Sequence, residues 1–263
     1  MNPLLNHLSG KVLLVAITLS GLLPASVIAQ STLNSVLEEQ TLKVGLINDR
    51  HHYHLTGNGP TGFDYRYARG LADYLGVTLQ VVPFYSETKL YQALTNNTVH
   101  IAAPRFRPAA IKPELAYGPV LFTTTLVGIG PENDAAPCSM TEPRQHLVLP
   151  HLHGAITAIT GSDWQKSEGT DSVTLINKMI DKAEFCTFLP ATWRAALRGY
   201  FPSLNEQLLP GATLSKQWLV RAGDTALLST LYEFTHLSRT KGSLAVLKEE
   251  LHEPEKVLVK PEP

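Results

Sequence analysis

The sequence lacks the features that mark a nucleic-acid binder, a membrane-spanning chain or a common hydrolase. Its 22 lysines and arginines stand against 23 aspartates and glutamates, a formal net charge of −1 over 263 residues. With no basic stripe interleaved with aromatics, nucleic acid is excluded as a partner. The apolar run from Val12 to Leu23 falls short of the ~20 residues that cross a bilayer. No HExxH, phosphate-binding loop or Ser-His-Asp signature occurs, so no motif points to enzymatic activity. Internal repeats and long low-complexity tracts are missing too. Cysteine is scarce, with only Cys138 and Cys186. Two thiols suit either one bridge or two buried side chains, and sequence spacing alone cannot bring the α-carbons within the ~4.4–6.8 Å that a bridge needs.

What is present starts with a leader. Residues 1–29 combine Lys11, the apolar run, Pro24 and the ending Val27-Ile28-Ala29, the pattern of a secretory signal peptide cleaved before Gln30. No cysteine near that site offers a lipid anchor. The mature chain is expected to be exported, soluble and monomeric, in surroundings that permit a disulfide. At the other end, residues 252–263 are polar and proline-rich and read as a disordered tail.

Between these ends the segment Thr61 to Phe84, TGFDYRYARGLADYLGVTLQVVPF, reads as turn, helix and strand. Phe63, Tyr67, Leu71, Tyr74 and Leu75 fall at helical spacing; Asp64 is expected to cap the first turn and Gly76 to end the last in a left-handed conformation. With a buried strand at Thr41 to Ile47 and another at Val77 to Val82, this predicts a parallel βαβ unit, in a parallel sheet covered by helices on both faces. A helix from Glu87 to Leu94 and a strand from Val99 to Ala103 follow. Pro104, Pro108 and Pro113 then break the chain. Arg105 and Arg107 come directly after that strand end, where parallel α/β sheets place their ligands.

The stretches GFDYRYARGLADYLGV, LYQALTNNTVHIAA, Tyr117-Gly118-Pro119, WLVRAGDTALLSTLYEF and TKGSLAVLKEEL resemble the bacterial extracellular solute-binding proteins of family 3. Among these, the likeness is to the binding-protein-like domain of the membrane-bound lytic murein transglycosylases F, and it runs from about Leu42 to Leu251. It implies an α/β, two-lobed type II periplasmic binding protein fold, each lobe a mostly parallel sheet flanked by helices, joined by two hinge segments of which Leu121 to Ile129 is the first. Lobe 1 is then discontinuous, residues 30–125 and 218–251, and lobe 2 is residues 126–217. Lobe 2 is expected to hold strands at His146 to Leu149 and Glu184 to Leu189, and helices near Ala155 to Ile159, Ser172 to Ala183 and Ala191 to Tyr200. The chain returns at Gln217 to Val220 and closes with helices at Thr225 to Leu237 and Ser243 to Leu251. The implied function is capture of a small-molecule ligand in the interlobe cleft, in the periplasm, for delivery to a membrane permease. The alternative is a regulatory or interaction protein whose solute site has degenerated and which senses cell-wall fragments. Residues 252–263 leave no room for the transglycosylase's catalytic domain, so no enzyme and no cofactor are expected.

The same resemblance nominates site residues. In the loop Asn48 to His54, Tyr53 takes the position of the family's aromatic wall, with His52 beside it. Arg105 and Arg107 are candidates for the guanidinium fork that clamps a carboxylate. The family's arginine lies further on, where this chain reads Pro108-Ala109-Ala110-Ile111-Lys112. One of the two arginines therefore substitutes from a shifted position, or the clamp is gone and both are surface residues. In lobe 2 the expected loop Pro150 to Gly154 puts His151 and His153 where hydroxyls are usual. The strand ending at Leu189-Pro190 lacks the aspartate that receives an ammonium group, and an unpaired buried ammonium costs several kcal/mol; free α-amino acids are thus not the expected ligand. The histidines, facing one another across the cleft, suit a divalent transition metal. No carboxylate or thiol lies beside them at recognisable spacing, so no metal is assigned. Trp164, Trp193 and Trp218 read as core or lobe-surface residues.

Overall fold

A computed structural model describes residues 31–130, 138, 145–161, 164–167, 172–181 and 185–251. The expected signal peptide, the expected tail at 252–263 and Glu184 lie outside the described residues.

The chain opens with helix α1 (Thr32–Glu38), whose N-cap Ser31 accepts from the Asn34 amide, and leads into strand β1 (Thr41–Ile47). A short hairpin, β2 (His54–Thr56) and β3 (Gly59–Thr61), precedes α2 (Phe63–Leu75) and β4 (Thr78–Phe84). α2 buries Phe63, Tyr67, Ala68, Leu71 and Ala72, and ends at Gly76 in the left-handed region, φ 70°. Tyr74, on the same expected stripe, stays exposed and leans on Phe234 with ring centroids 5.5 Å apart. β1 pairs parallel with β4 in register from Thr41 opposite Thr78 to Ile47 opposite Phe84. α3 (Glu87–Thr95) then leads to β5 (Ile101–Ala103), parallel to the other edge of β1. Leu42, Val44 and Leu46 enter the main core, whereas Ile47 joins Leu90, Leu94, Val99 and Leu219 in a second cluster. Two separate clusters are what a sheet covered on both faces requires.

β6 (Leu115–Gly130) and β10 (Asn205–Arg221) are the longest strands described. They run antiparallel from Asn205 opposite Gly130 to Arg221 opposite Leu115. β10 carries β5 beside Leu219, and β6 carries β9 (Phe185–Pro190) beside Leu126 to Ile129, at the far end of the pair. β9 continues parallel into β7 (Gln145–Val148), and β7 into β8 (Gln165–Lys166). The complete order is β4-β1-β5-β10-β6-β9-β7-β8. The helices α4 (Pro150–Thr160), α5 (Ser172–Asp181) and α6 (Arg194–Tyr200), with a 3-10 turn at Ala191–Trp193, accompany the β9 half. α7 (Thr225–Thr240) and α8 (Ser243–Glu250) return to pack with α2. Each half is parallel at its outer strands, and one antiparallel pair runs through both: this is the two-lobed α/β binding-protein architecture.

The sheet is therefore mixed, not parallel throughout, because a chain that crosses between lobes and comes back must pair with itself in opposite directions. β10 is also far longer than the Gln217 to Val220 segment expected from the sequence. Pro210 and Gly211, the latter at φ 83°, interrupt its apolar pattern, and the register shifts between Leu208 and Thr213. Cys138 and Cys186 form a disulfide with their α-carbons 5.7 Å apart. It lies against β6 at Gly128, where a Cβ would come 2.1 Å from the Cys138 carbonyl oxygen; only glycine allows that approach.

Candidate functional site

The tips of β1, β5, β7 and β9 converge, and they do so by local chemistry. After β1 the chain winds around the Asp49 carboxylate, whose Oδ1 accepts from the backbone amides of His51 (3.0 Å) and His52 (2.9 Å). Asp49 and Tyr53 close the turn with paired backbone bonds of 2.9 and 3.1 Å. The carbonyl of His51 then accepts from the Phe63 amide, and that of His52 from the amides of Asp64 and Tyr65. The exposed N–H groups of α2 are thus met by backbone carbonyls, with Gly62 as N-cap at φ 108°. Asp64 is not the cap expected of it: it lies in the first turn with its side chain fully buried.

Asp64 anchors an internal polar cluster. Its Oδ2 accepts from Lys216 Nζ at 2.6 Å and lies 2.8 Å from His52 Nδ1, while Oδ1 accepts from Trp218 Nε1 at 2.7 Å. Lys216 also donates to the Pro104 carbonyl and approaches His52 Nδ1 at 3.2 Å. Burial pushes the Asp64 carboxyl up and the Lys216 amine down, each toward its neutral form, and their mutual contact opposes both shifts. Burial likewise drives His52 well below the usual imidazole range, so its ring is neutral.

Of the residues nominated from sequence, His52 and Tyr53 are buried in the lobe interior, His52 edge-on to Phe106 and Tyr53 tilted against Tyr65, each at 6.1 Å. The Asp49 turn folds both inward. Arg105 reaches the strand tips, but its Nε donates to Asp49 Oδ2 at 2.7 Å and its backbone amide donates to Glu87 Oε1 at 3.1 Å. Its guanidinium is already paired, with only 12% of its side chain exposed. Burial opposes ionisation of Asp49, yet the Arg105 guanidinium and the hydrogen bond from the His52 amide help hold that carboxyl below its ordinary range. Arg107 is exposed and lies 4.4 Å over the Tyr117 ring. His151 and His153 stand in the first turn of α4, not in a loop ahead of it, because Pro150 occupies its first helical position. His153 Nε2 lies 2.7 Å from the Trp164 carbonyl, within its own half of the molecule.

Trp193, a core or lobe-surface residue by its sequence, lies where the strand tips of the two halves meet. Its indole stacks on the His51 ring at 4.9 Å, nearly parallel at 5°. Phe106 lies at 6.4 Å and His151 at 6.1 Å. Burial lowers His51 to about 4 and His151 to about 3, so both rings are neutral at pH 7. A depressed histidine contributes stability that is complete above its unfolded value near 6.5 and is lost as pH falls toward the folded value. The melting temperature should therefore drop between pH 6.5 and 4, and the double variant His51→Gln, His151→Gln should flatten that slope. A parallel decline in variant and wild type counts against it. Among the described residues no group of three or more His, Cys, Asp or Glu side chains is placed to hold a metal. An open groove of about 680 Å³ lies elsewhere, lined by Tyr65, Arg66, Arg69 and Asp73 of α2 and by the β2–β3 hairpin. Among the described residues no helix is long and apolar enough to cross a membrane.

No protein-family model matches the sequence. The membrane-bound lytic murein transglycosylase F of Shewanella sp. (strain W3-18-1) is 27% identical over 217 residues, 79% of this chain and 46% of that protein. Its counterpart from Shewanella denitrificans is 25% identical over 248 residues, 90% of this chain and 50% of that one. The chain thus spans about half the length of the curated relatives it matches. Among solved structures, an ancestral cationic amino acid solute binding protein superposes with TM-score 0.66 at 17% identity, covering 85% of this chain and all (100%) of that one. The solute receptor for L-cysteine of Neisseria gonorrhoeae gives 0.67 at 16% identity, covering 84% and 93%. The chain has the fold of the two-lobed solute-binding proteins, and in sequence it is similar to the binding-protein-like part of the transglycosylases F.

Proposed function

We propose that the chain is a periplasmic, non-enzymatic solute-binding protein that takes a small ligand between lobes made of residues 30–125 with 218–251 and of residues 126–217. The observation that carries this reading is the meeting of four strand tips from both lobes around Trp193. Hinge closure around a ligand is the motion such an arrangement serves. The ligand is not a free α-amino acid. Arg105 is paired with Asp49, so a carboxylate finds its counter-charge taken. The β9 tip offers Leu189 and Pro190 in place of an acid, so an ammonium finds none.

Thermal denaturation of the mature protein against amino acids, uncharged organic solutes, muropeptides and organic anions tests this. A ligand at a hundred times its dissociation constant adds about 2.7 kcal/mol to stability. The expected result is a raised midpoint with a solute lacking the α-amino acid head. A rise with free amino acids alone overturns the specificity claim.

A second reading, a regulatory protein of murein turnover with a degenerate solute site, draws support from the similarity to transglycosylase F and from the internally paired arginine. A response to muropeptides alone, or to no solute in the panel, favours it over delivery to a permease.

A further inference from the structure

Trp193 is an unusual side chain to find at a strand tip. It ends the 3-10 turn that follows β9. That turn is pinned to the crossover strand β6 by the Thr192 amide, which donates to Thr124 Oγ1 at 3.3 Å. Immediately after it, Arg194 Nε donates to Glu206 Oε2 on β10 at 2.6 Å. The indole is therefore held from its own side and projects toward the tips of β1 and β5, where it is 5% exposed.

Its surroundings are flat rings, two of them imidazoles. The His51 ring lies parallel to it, Phe106 is tilted at 45° and His151 at 50°. Arg105, which reaches these strand tips, is occupied by Asp49. Offset stacking of this kind suits an uncharged ring, because the faces of both partners carry similar charge distributions and no ion has to be desolvated.

Resting on the solute-binding reading above, we propose that Trp193 is a built-in occupant of the interlobe site: its indole fills the place that a ligand takes against His51, Phe106 and His151, so the solute this cleft accepts carries a flat, uncharged ring system of about indole size and must displace Trp193 to bind. The neutrality of the His51 ring supports that choice of class. A tethered ring competes at an effective concentration of roughly millimolar or above. The wild-type protein is thus shut against weak aromatic solutes and opens only to one that makes more contacts than the indole does.

Indole itself is the probe, titrated into the mature Trp193→Gly protein by calorimetry, with small-angle scattering of the same samples. We expect the variant to bind indole roughly 100-fold or more tighter than wild type does. Adding His51→Ala should weaken that binding by about tenfold. Without indole the variant should have a larger radius of gyration than wild type, and indole should restore it, which filling a cavity inside one lobe does not do. Binding no tighter than wild type in a variant folded by circular dichroism overturns the proposal. So does tight binding with unchanged dimensions and no dependence on His51. Should Trp193→Gly fail to fold, Trp193→Leu keeps apolar volume without the flat ring, and an unexpanded Trp193→Leu overturns the proposal equally. The solute panel is run on wild type and the indole titration on the variant, so the two ideas fail separately: a panel answered by free amino acids alone overturns the reading of the solute class, and a variant that binds indole no tighter than wild type overturns the Trp193 occupancy.

Discussion

Replacing Asp64 with alanine should destabilise the protein by about 3–5 kcal/mol, the usual consequence of removing one partner from a buried ion pair. Both side chains of the Asp64–Lys216 pair are wholly buried. Without the carboxylate, the Lys216 ammonium keeps only the Pro104 carbonyl and the His52 ring, and the Trp218 N–H loses its acceptor. A buried ammonium left to neutral acceptors either sheds its proton or opens the structure to water, and both states lie well above the native one. Replacing the pair together, Asp64→Leu with Lys216→Met, should recover most of the loss, since apolar residues of similar volume stand in for buried pairs at little net change. Urea denaturation decides it. A midpoint for Asp64→Ala within ~1 kcal/mol of wild type, at unchanged slope, means that Lys216 is not buried as a cation. Full loss in the double variant means that packing, not charge, is what Asp64 supplies.

The second large effect belongs to the disulfide. Cys138 and Cys186 are separated by 48 residues, and closing a loop of that size restrains the unfolded chain by about 4 kcal/mol in the chain-entropy account. The double variant Cys138→Ser, Cys186→Ser should lose up to that amount, with the deficit visible as a lower denaturation midpoint. Wild type in reducing buffer should match it. Coincident curves with and without reductant would remove the bridge from any part in stability. Because Cys186 lies on β9 and β9 delivers Trp193, loss of the bridge should also weaken whatever the cleft binds.

How much of this was legible beforehand depends on the range of each interaction. The α2 unit could be read because its determinants are local: Phe63, Tyr67 and Leu71 recur at helical spacing, and Gly76 ends the helix in the left-handed conformation that glycine adopts without steric cost. Asp64 misled because its real partner, Lys216, is 152 residues away, and no spacing rule links them. Its position in the first turn looked like a cap, yet backbone carbonyls from the Asp49 turn had already met those N–H groups. The histidine segment 151–153 is expected as a loop from the family resemblance, which places a turn there ahead of the helix, whereas Pro150 takes the first position of α4, where proline is at home. Tyr53 and His52 were placed correctly in the loop after β1, but which way a loop side chain turns depends on the Asp49 carboxylate that organises it. Trp193 was hardest to foresee, since its meaning arises only when the tips of β1 and β9 come together.

One further property resides in the paired strands that run the length of the sheet. From Leu209 to Ala212 the ladder between β10 and β6 is broken opposite Leu126, with Pro210 and Gly211 inside the gap. A ribbon hydrogen-bonded on both sides of such a gap resists sliding but not flexure, so compliance collects at that point. The two ends of the molecule are in this sense coupled like the arms of a tweezer, whose springiness resides in the bend that connects them.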